Sequence, residues 1–279
     1  MTRRVASHVL EQVGASRRVL LLGLCLLGFS RSALASDAVA RAVEDLSTCH
    51  SVEDALCQSA LARLTNWGEE AVEPLAAAFD SLPPTGQVLA VTAFARIGCP
   101  SSTRFLLRVA RKGTPSHRAL ALGALGSRPG PEVQRALIEA LAAPEIPIRV
   151  AAAEGLGRTL EGREVVGLVR ALSRASSDRS ETVAVAAVQS LGLVGDNRAA
   201  PAVLGALASP RISLRRAAVF SSRMLSDLRL VPPLIELLRG EDRLLAEDAS
   251  RALTHLTGQT FSVDYALWRG WWRENCPKR

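Results

Sequence analysis

The sequence is poor in aromatic residues: Phe, Trp and Tyr make up 4% of the 279 residues, and Tyr occurs once. Ala, Leu and Val dominate instead, within a hydrophobic fraction of 48%. Strands favour aromatic and β-branched side chains, whereas Ala and Leu are good helix formers. The composition therefore disfavours a β protein and predicts an all-α fold. With 22% charged residues, it also excludes an intrinsically disordered chain.

Residues and motifs with catalytic chemistry are scarce. The chain has 4 His, and none lies in an HExxH or His–Cys arrangement. It contains no phosphate-binding GxxxxGK loop and no GxSxG nucleophile elbow. We therefore predict no catalytic residue, no metal site and no cofactor, and we expect that the protein is not an enzyme.

The apolar run near the N-terminus is too short to cross a membrane. VLLLGLCLLGF occupies residues 19–29, whereas a spanning helix needs about 20 residues. The run follows an arginine-rich segment and precedes Ala33-Leu34-Ala35, a small-residue cleavage pattern. This order is typical of a secretory signal peptide. We expect removal of residues 1–35 after Ala35, leaving a periplasmic or secreted protein with no integral membrane span.

Lysine is nearly absent, and the excess of positive charge lies mostly in this leader. The formal net charge is +7, from 34 Lys and Arg against 27 Asp and Glu. Residues 1–35 carry five Arg and one Glu, so the remainder is only +3. We therefore expect no nucleic-acid partner.

A repeat of about 30 residues runs through the rest of the chain. Each copy has two helices with apolar periodicity, the second rich in alanine, and the first four copies end at Gly98, Gly126, Gly157 and Gly192. We expect these glycines to form left-handed helix caps. A helix pair cannot bury its apolar face alone, so antiparallel pairs must stack into an α-solenoid. The predicted repeats are 68–98, 99–128, 129–160, 161–196, 197–227 and 228–258, preceded by a divergent helical hairpin at 36–67 and followed by a capping segment at 259–279.

Several second helices open with a branched apolar residue, an arginine and alanines, as in IRVAA at 148–152 and LRRAA at 214–218. This pattern resembles the HEAT-like repeats, including the subgroup described in phycobilin lyases, over about residues 68–258. The resemblance implies an armadillo-like superhelix whose second helices line a concave face. Phycobilin lyases and deoxyhypusine hydroxylase are enzymes with such repeats, and they are less favoured readings. The former act on cytosolic or plastid proteins, whereas the leader indicates export. The latter takes iron ligands from His-Glu dipeptides, which this sequence lacks.

Arginines on the second helices are the predicted binding residues of the concave face. They are Arg118, Arg149, Arg215, Arg216, Arg223 and Arg251. The alternative is that each pairs with an acidic residue or a loop carbonyl of the adjacent repeat. Acidic residues share these helices, so the face would be mixed in sign and would suit a protein partner.

Four cysteines follow the leader, and three complete pairings are possible. Cys49 and Cys57 are close in sequence and flank a predicted helix turn, so we favour a disulfide between them. Helix layers pack about 8–10 Å apart, whereas a disulfide joins Cα atoms about 4.4–6.8 Å apart. Cys276 should lie several layers from Cys99. We expect it to be unpaired within the chain or disulfide-linked to a partner.

Three of the four tryptophans lie in WRGWW at residues 268–272. A terminal repeat needs a different outer surface, because nothing stacks on it. We predict a structural cap in which Asp264 begins a helix and Tyr265, Trp268 and Trp272 share one face. Phe261 completes this cap. The alternatives are aromatic stacking on a sugar or peptide, and contact with a membrane surface.

Together these features predict a non-enzymatic scaffold of the cell envelope that binds another protein along the concave face of the solenoid. The alternative is a binding module for an envelope glycan or other polymer, which would use the arginine strip or the C-terminal aromatics.

Overall fold

The computed structural model describes residues 31–158 and 165–276, and every regular element in these ranges is a helix. The chain divides into two compact units, residues 1–99 and 100–279. Of the predicted signal peptide, residues 1–30 lie outside the described ranges, and residues 31–35 belong to the first helix. Within the described ranges, no helix combines the length and apolarity that a bilayer crossing requires.

The described part of the first unit, residues 31–99, contains four helices and two short 3-10 turns. They are α1 (Arg31–Ser47), α2 (Ala55–Trp67), the turn Gly68–Ala71, α3 (Val72–Ala78), the turn Phe79–Ser81 and α4 (Pro84–Ile97). α2 packs against α1 and α4, and α1 also contacts α3 and α4. The first predicted repeat, α3 and α4, therefore packs on the N-terminal hairpin. The compact unit that ends at residue 99 therefore contains both the predicted hairpin and the first predicted repeat.

A disulfide closes the loop between α1 and α2. Cys49 and Cys57 are both buried, and their Cα atoms are 5.8 Å apart. The side chain of Asp54 begins α2 by accepting a hydrogen bond from the Leu56 N–H at 3.1 Å. The crosslink stabilises the hairpin by restricting the unfolded chain.

The second unit is a two-layer stack of helix pairs that ends in a single helix. Its helices are α5 (Pro100–Lys112), α6 (Pro115–Leu125), α7 (Pro131–Ala140), α8 (Ile146–Arg158), α9 (Val165–Ala175), α10 (Glu181–Val194), α11 (Ala200–Leu207), α12 (Ile212–Ser222), α13 (Val231–Leu237), α14 (Arg243–Thr257) and α15 (Tyr265–Asn275). We call α5, α7, α9, α11 and α13 the A helices, and α6, α8, α10, α12 and α14 the B helices. Each A helix packs on the B helix that follows it, and each B helix packs on the next B helix.

Small residues let neighbouring B helices approach backbone to backbone. A methyl group added at Gly126 would meet the Cα of Gly155 at 2.6 Å, and one added at Gly192 would meet the Cα of Ser221 at 2.7 Å. The same step recurs between Gly157 and Ser190. These distances leave no room for a Cβ atom, so glycine is a requirement of inter-helix packing at these positions.

The expectation of left-handed caps at the repeat ends is wrong for three of the four glycines. Gly98 does cap α4, with φ of 78°. Gly126 has φ of −57°, while Gly157 and Gly192 lie inside α8 and α10. At all three positions the absent side chain serves the contact with the next B helix, and α8 and α10 continue through Gly157 and Gly192. Left-handed glycine caps do occur on two B helices, at Gly195 after α10 and at Gly258 after α14.

Candidate functional site: the outer face of the B helices

The arginines of the predicted strip are mostly engaged within the chain, and Arg149 is the clearest case. Its Nε and Nη2 donate to the two carboxylate oxygens of Asp178 in the next repeat, at 2.9 and 3.0 Å. Its Nη1 donates to the carbonyls of Ala143 and Pro144, at 2.9 and 2.8 Å. Only 14% of the Arg149 side chain is exposed. Arg149 therefore joins two repeats and offers little to a partner.

Arg118, Arg215 and Arg216 follow related patterns. Arg118 donates to the Ala110 carbonyl at 3.1 Å and lies 3.8 Å from the Glu145 carboxylate. The Nη1 of Arg215 donates to the Ser209 carbonyl at 2.9 Å. Arg216 pairs with Asp242 of the next repeat at 2.9 Å, but half of its side chain stays exposed. These contacts show that the three arginines bind mainly to carbonyl and carboxylate oxygens of their own repeat or of the adjacent repeat.

Arg223 and Arg251 complete the strip. Arg223 is half-buried, and its Nε atom has no hydrogen-bond partner among the described residues. Arg251 is exposed and pairs with Asp248 on its own helix. Arg216 and Arg251 are therefore the members of the strip that keep most of their surface available.

The Arg149–Asp178 pair makes the stability of the stack dependent on pH. The hydrogen bond from Arg149, aided by the Ser180 N–H, holds the pKa of the Asp178 carboxyl below its ordinary value against the opposing effect of burial. Such a carboxyl stabilises the fold fully at pH values above its pKa in the unfolded chain, which is about 3.9. That contribution is lost as pH falls through the lower, folded value.

We expect Asp178→Asn to lower the free energy of unfolding by about 2 kcal/mol at pH 7, because a charge-assisted hydrogen bond is lost. Urea unfolding at pH 7 and again between pH 4 and 3 should show the deficit shrinking in acid. Asp248→Asn is the control, since its pair with Arg251 is exposed and should contribute less than about 1 kcal/mol. A deficit for Asp178→Asn that stays constant down to pH 3 would contradict this account.

Large apolar side chains on two adjacent B helices are more exposed than Arg118 and Arg149 of the predicted strip. Leu193 on α10, Phe220 on α12 and Met224 just after α12 are 51%, 39% and 44% exposed. Leu193 follows Gly192 and Phe220 precedes Ser221, so both lie beside the close contact between these helices. We call Leu193, Phe220 and Met224 the apolar patch.

Exposed polar residues lie on the same run of B helices as the apolar patch. Exposed Gln189, Arg216 and Arg251 lie on α10, α12 and α14, the same run of successive B helices. An apolar centre with a polar rim is the usual anatomy of a protein-binding surface. Sequence reasoning missed the patch, although a signal exists: Leu193 and Met224 occupy equivalent positions in consecutive repeats.

The C-terminal segment folds against the last repeat, with Trp268 at its centre. Asp264 begins α15 by accepting a hydrogen bond from the Leu267 N–H at 3.0 Å. Trp268 is fully buried, its Nε1–H donates to the Ser262 carbonyl at 2.9 Å, and its ring meets Phe261 edge-on at 5.0 Å. α15 packs on α13, the A helix of the last pair. Trp268 therefore offers no ring face to a ligand.

The other aromatic residues of this segment are half-buried. The Tyr265 hydroxyl donates to Glu236 on α13 at 3.1 Å and accepts from Arg269 at 3.0 Å. The Trp271 ring lies 6.5 Å from Phe261 and 6.3 Å from Trp268, so it belongs to the same aromatic cluster. Trp272 contacts only Trp271 among the described rings, at 6.2 Å. The aromatic cluster thus centres on Phe261, Trp268 and Trp271, because residues three apart share a helix face.

The histidines and the remaining cysteines are dispersed. His117 is buried beside the Thr114 hydroxyl, 3.0 Å from its Nδ1, while His255 is exposed. In residues 31–158 and 165–276, no group of three His, Cys, Asp or Glu could hold a metal ion. Cys276 is exposed at the end of α15, and Cys99 is half-buried at the end of the first unit.

Stacked helix pairs with closely packed B helices define an α-solenoid repeat protein. A family model described as HEAT repeats matches residues 72–157 and 135–223, which together are just over half of the chain. The chain belongs to the HEAT repeat family, and this confirms the resemblance and the fold class predicted from the sequence.

Solved structures with similar folds are armadillo- and HEAT-like proteins of low identity. A designed armadillo repeat protein in complex with the peptide (KR)4 is 14% identical, with 78% of this chain and 99% of that chain covered and a TM-score of 0.51. Human deoxyhypusine hydroxylase in complex with glycerol is 15% identical (81% and 98% covered, TM-score 0.39), and an engineered protein is 17% identical (79% and 96% covered, TM-score 0.49). At these identities the similarity concerns the fold alone. No curated protein matches the sequence.

Proposed function

We propose that the protein is a non-enzymatic scaffold that binds another protein on the solvent-exposed face of its B helices. The observation that carries this proposal is the apolar patch, formed by side chains that are exposed on consecutive repeats of a HEAT stack. The backbone contact at Gly192 and Ser221 holds the two helices of the patch at a fixed spacing. A preformed surface binds without a large ordering cost.

The rim of the patch favours a partner with apolar and acidic side chains. Arg216 and Arg251 are 52% and 60% exposed, so each keeps donors available beyond its internal ion pair. Arginine is enriched at protein interfaces, where its planar donors bind carboxylates in pairs. The designed armadillo protein with its bound peptide is an example of peptide recognition on this class of fold.

We further propose that the protein acts outside the cytoplasm, in the cell envelope. The leader supports this location through its apolar run and its Ala33-Leu34-Ala35 exit. The Cys49–Cys57 disulfide is in keeping with it, because disulfides persist mainly in oxidising compartments. Mass spectrometry of the protein from a periplasmic fraction tests cleavage after Ala35.

The binding proposal is tested by Leu193→Glu, with Val166→Glu as a matched control. Both residues lie in the fourth predicted repeat, and they are 51% and 43% exposed, but Val166 is on the A helix α9. Loss of a central apolar contact should weaken partner binding by about tenfold or more. The partner is first identified by crosslinking to the wild-type protein, and its affinity for each variant is then measured by surface plasmon resonance. It should bind the Val166→Glu control as tightly as the wild type. Equal weakening by both variants, or none by Leu193→Glu, would exclude the patch as the docking surface.

A further inference from the structure

The A helix α5 carries four exposed cations on one face, away from the B helices. Arg104, Arg108, Arg111 and Lys112 are exposed, whereas the opposite face of the helix is buried through residues such as Phe105. Arg104, Arg108 and Lys112 follow one another at spacings of four residues, and Arg111 lies three residues after Arg108, so the four side chains share one face of the helix.

The four cations line a cleft of about 260 Å³. Leu107 forms its floor, and Glu132 at the start of α7 is the one carboxylate in the lining. α5 and α7 are in contact, so the cleft lies between two neighbouring A helices. Its volume is below the 300–1,000 Å³ typical of sites for drug-sized ligands, which favours a small ligand.

None of the four cations joins an ion pair among the described residues, in contrast to Arg118, Arg149 and Arg216. Like charges three or four residues apart destabilise a helix. A favourable interaction with the helix dipole accounts for Arg111 and Lys112, which lie in the last turn. It does not account for Arg104 and Arg108, which lie in earlier turns.

The Arg108 guanidinium lies over the Phe105 ring, 4.4 Å from its centroid. This stacking orients the guanidinium beside the cleft and lowers the entropy that a bound anion would have to remove. Planar guanidinium groups bind phosphoryl oxygens in pairs, and lysine adds a point charge.

We propose that this cleft binds a phosphate-bearing anion, with Arg104, Arg108, Arg111 and Lys112 as its cationic ligands. The shared chemistry is a group of phosphoryl oxygens, supplied either by a soluble phosphate compound or by the headgroup of an anionic lipid. The site lies on the A helices and is independent of the apolar patch, so Leu193→Glu leaves it unchanged.

The test uses calorimetric titration of the purified protein with inorganic diphosphate at low salt. A second arm measures co-sedimentation with phosphatidylglycerol vesicles against phosphatidylcholine vesicles. We expect Arg108→Gln with Arg111→Gln to weaken binding by about tenfold or more, since two charge-assisted contacts are lost. Glu132→Gln should tighten it by about twofold to fivefold, because a repelling carboxylate is removed.

The matched control is Arg170→Gln with Arg174→Gln, two exposed arginines on the A helix α9 that are not part of the cleft. Diphosphate binding that is weakened by the cleft double variant and tightened by Glu132→Gln supports a soluble ligand. The same ranking of affinities with phosphatidylglycerol vesicles alone supports a lipid headgroup. Absence of binding in both arms overturns the proposal. Equal weakening by the two double variants also overturns it, because net charge rather than the cleft would then be responsible.

Discussion

We expect Trp268→Ala to lower the free energy of unfolding by about 3–5 kcal/mol, the usual loss for a buried aromatic side chain. The indole is fully buried and packs edge-on against Phe261 and Trp271. Its Nε1–H also donates to Ser262, whose carbonyl accepts a second hydrogen bond from the Ser250 hydroxyl. Ser262 has a φ of 52°, which is unfavourable for a residue with a side chain, so these two bonds hold a strained turn.

The loss should be concentrated at the C-terminal end of the stack. In a solenoid each helix pair contacts only its neighbours, so removal of the cap first exposes α13. Hydrogen exchange should accelerate in α13–α15 and remain unchanged in α6–α8. Trp268→Phe should have a smaller effect, because it keeps an aromatic ring in the core and loses only the pyrrole part of the indole with its N–H.

Trp272→Ala is the control for Trp268→Ala. Trp272 is half-buried and meets only the Trp271 ring among the described aromatics. Trp272→Ala should lower the free energy of unfolding by much less than Trp268→Ala does. Urea unfolding of the two variants side by side makes the comparison. Equal stability losses would mean that the buried indole is not the centre of the cap.

Gly192→Ala should lower the free energy of unfolding by about 1–3 kcal/mol, the typical cost of overpacking. The new Cβ would lie 2.7 Å from both the Cα and the Oγ of Ser221. Ser221 cannot turn away easily, because its buried hydroxyl lies 2.7 Å from the Val188 carbonyl and 2.9 Å from the Ala217 carbonyl, and its one proton is shared between these two acceptors. The backbones of α10 and α12 would have to separate.

Gly205→Ala is the matched control and should have the opposite sign. Gly205 lies inside α11, and no atom is within 4 Å of the position that its Cβ would take. Alanine is favoured over glycine within a helix by about 0.5–1 kcal/mol. Thermal unfolding should therefore show a raised Tm for Gly205→Ala and a lowered Tm for Gly192→Ala. A raised Tm in both would mean that the B helices can separate freely.

The helices and their stacking could be predicted because they depend on local periodicity. Apolar spacing predicts the helix pairs. Asp264 is predictable as the N-cap of the last helix because it is a polar residue directly before a helix with an apolar face. Pairing of the arginines with the adjacent repeat was one of the two alternatives, but the partner of each arginine could not be predicted in the same way. Arg149 reaches Asp178, 29 residues away, and only the packing of α8 on α10 brings the two together.

The sequence by itself determined the class of protein: an all-α chain of repeated helix pairs that cannot bury their apolar faces without stacking. The tertiary structure alone decided which surface is available for binding. Gly192 faces Ser221 instead of ending its helix, Arg149 is used between repeats, and Leu193 is left exposed. Periodicity specifies the face on which a side chain lies, whereas its neighbours depend on the distance and register between helices that are far apart in the chain.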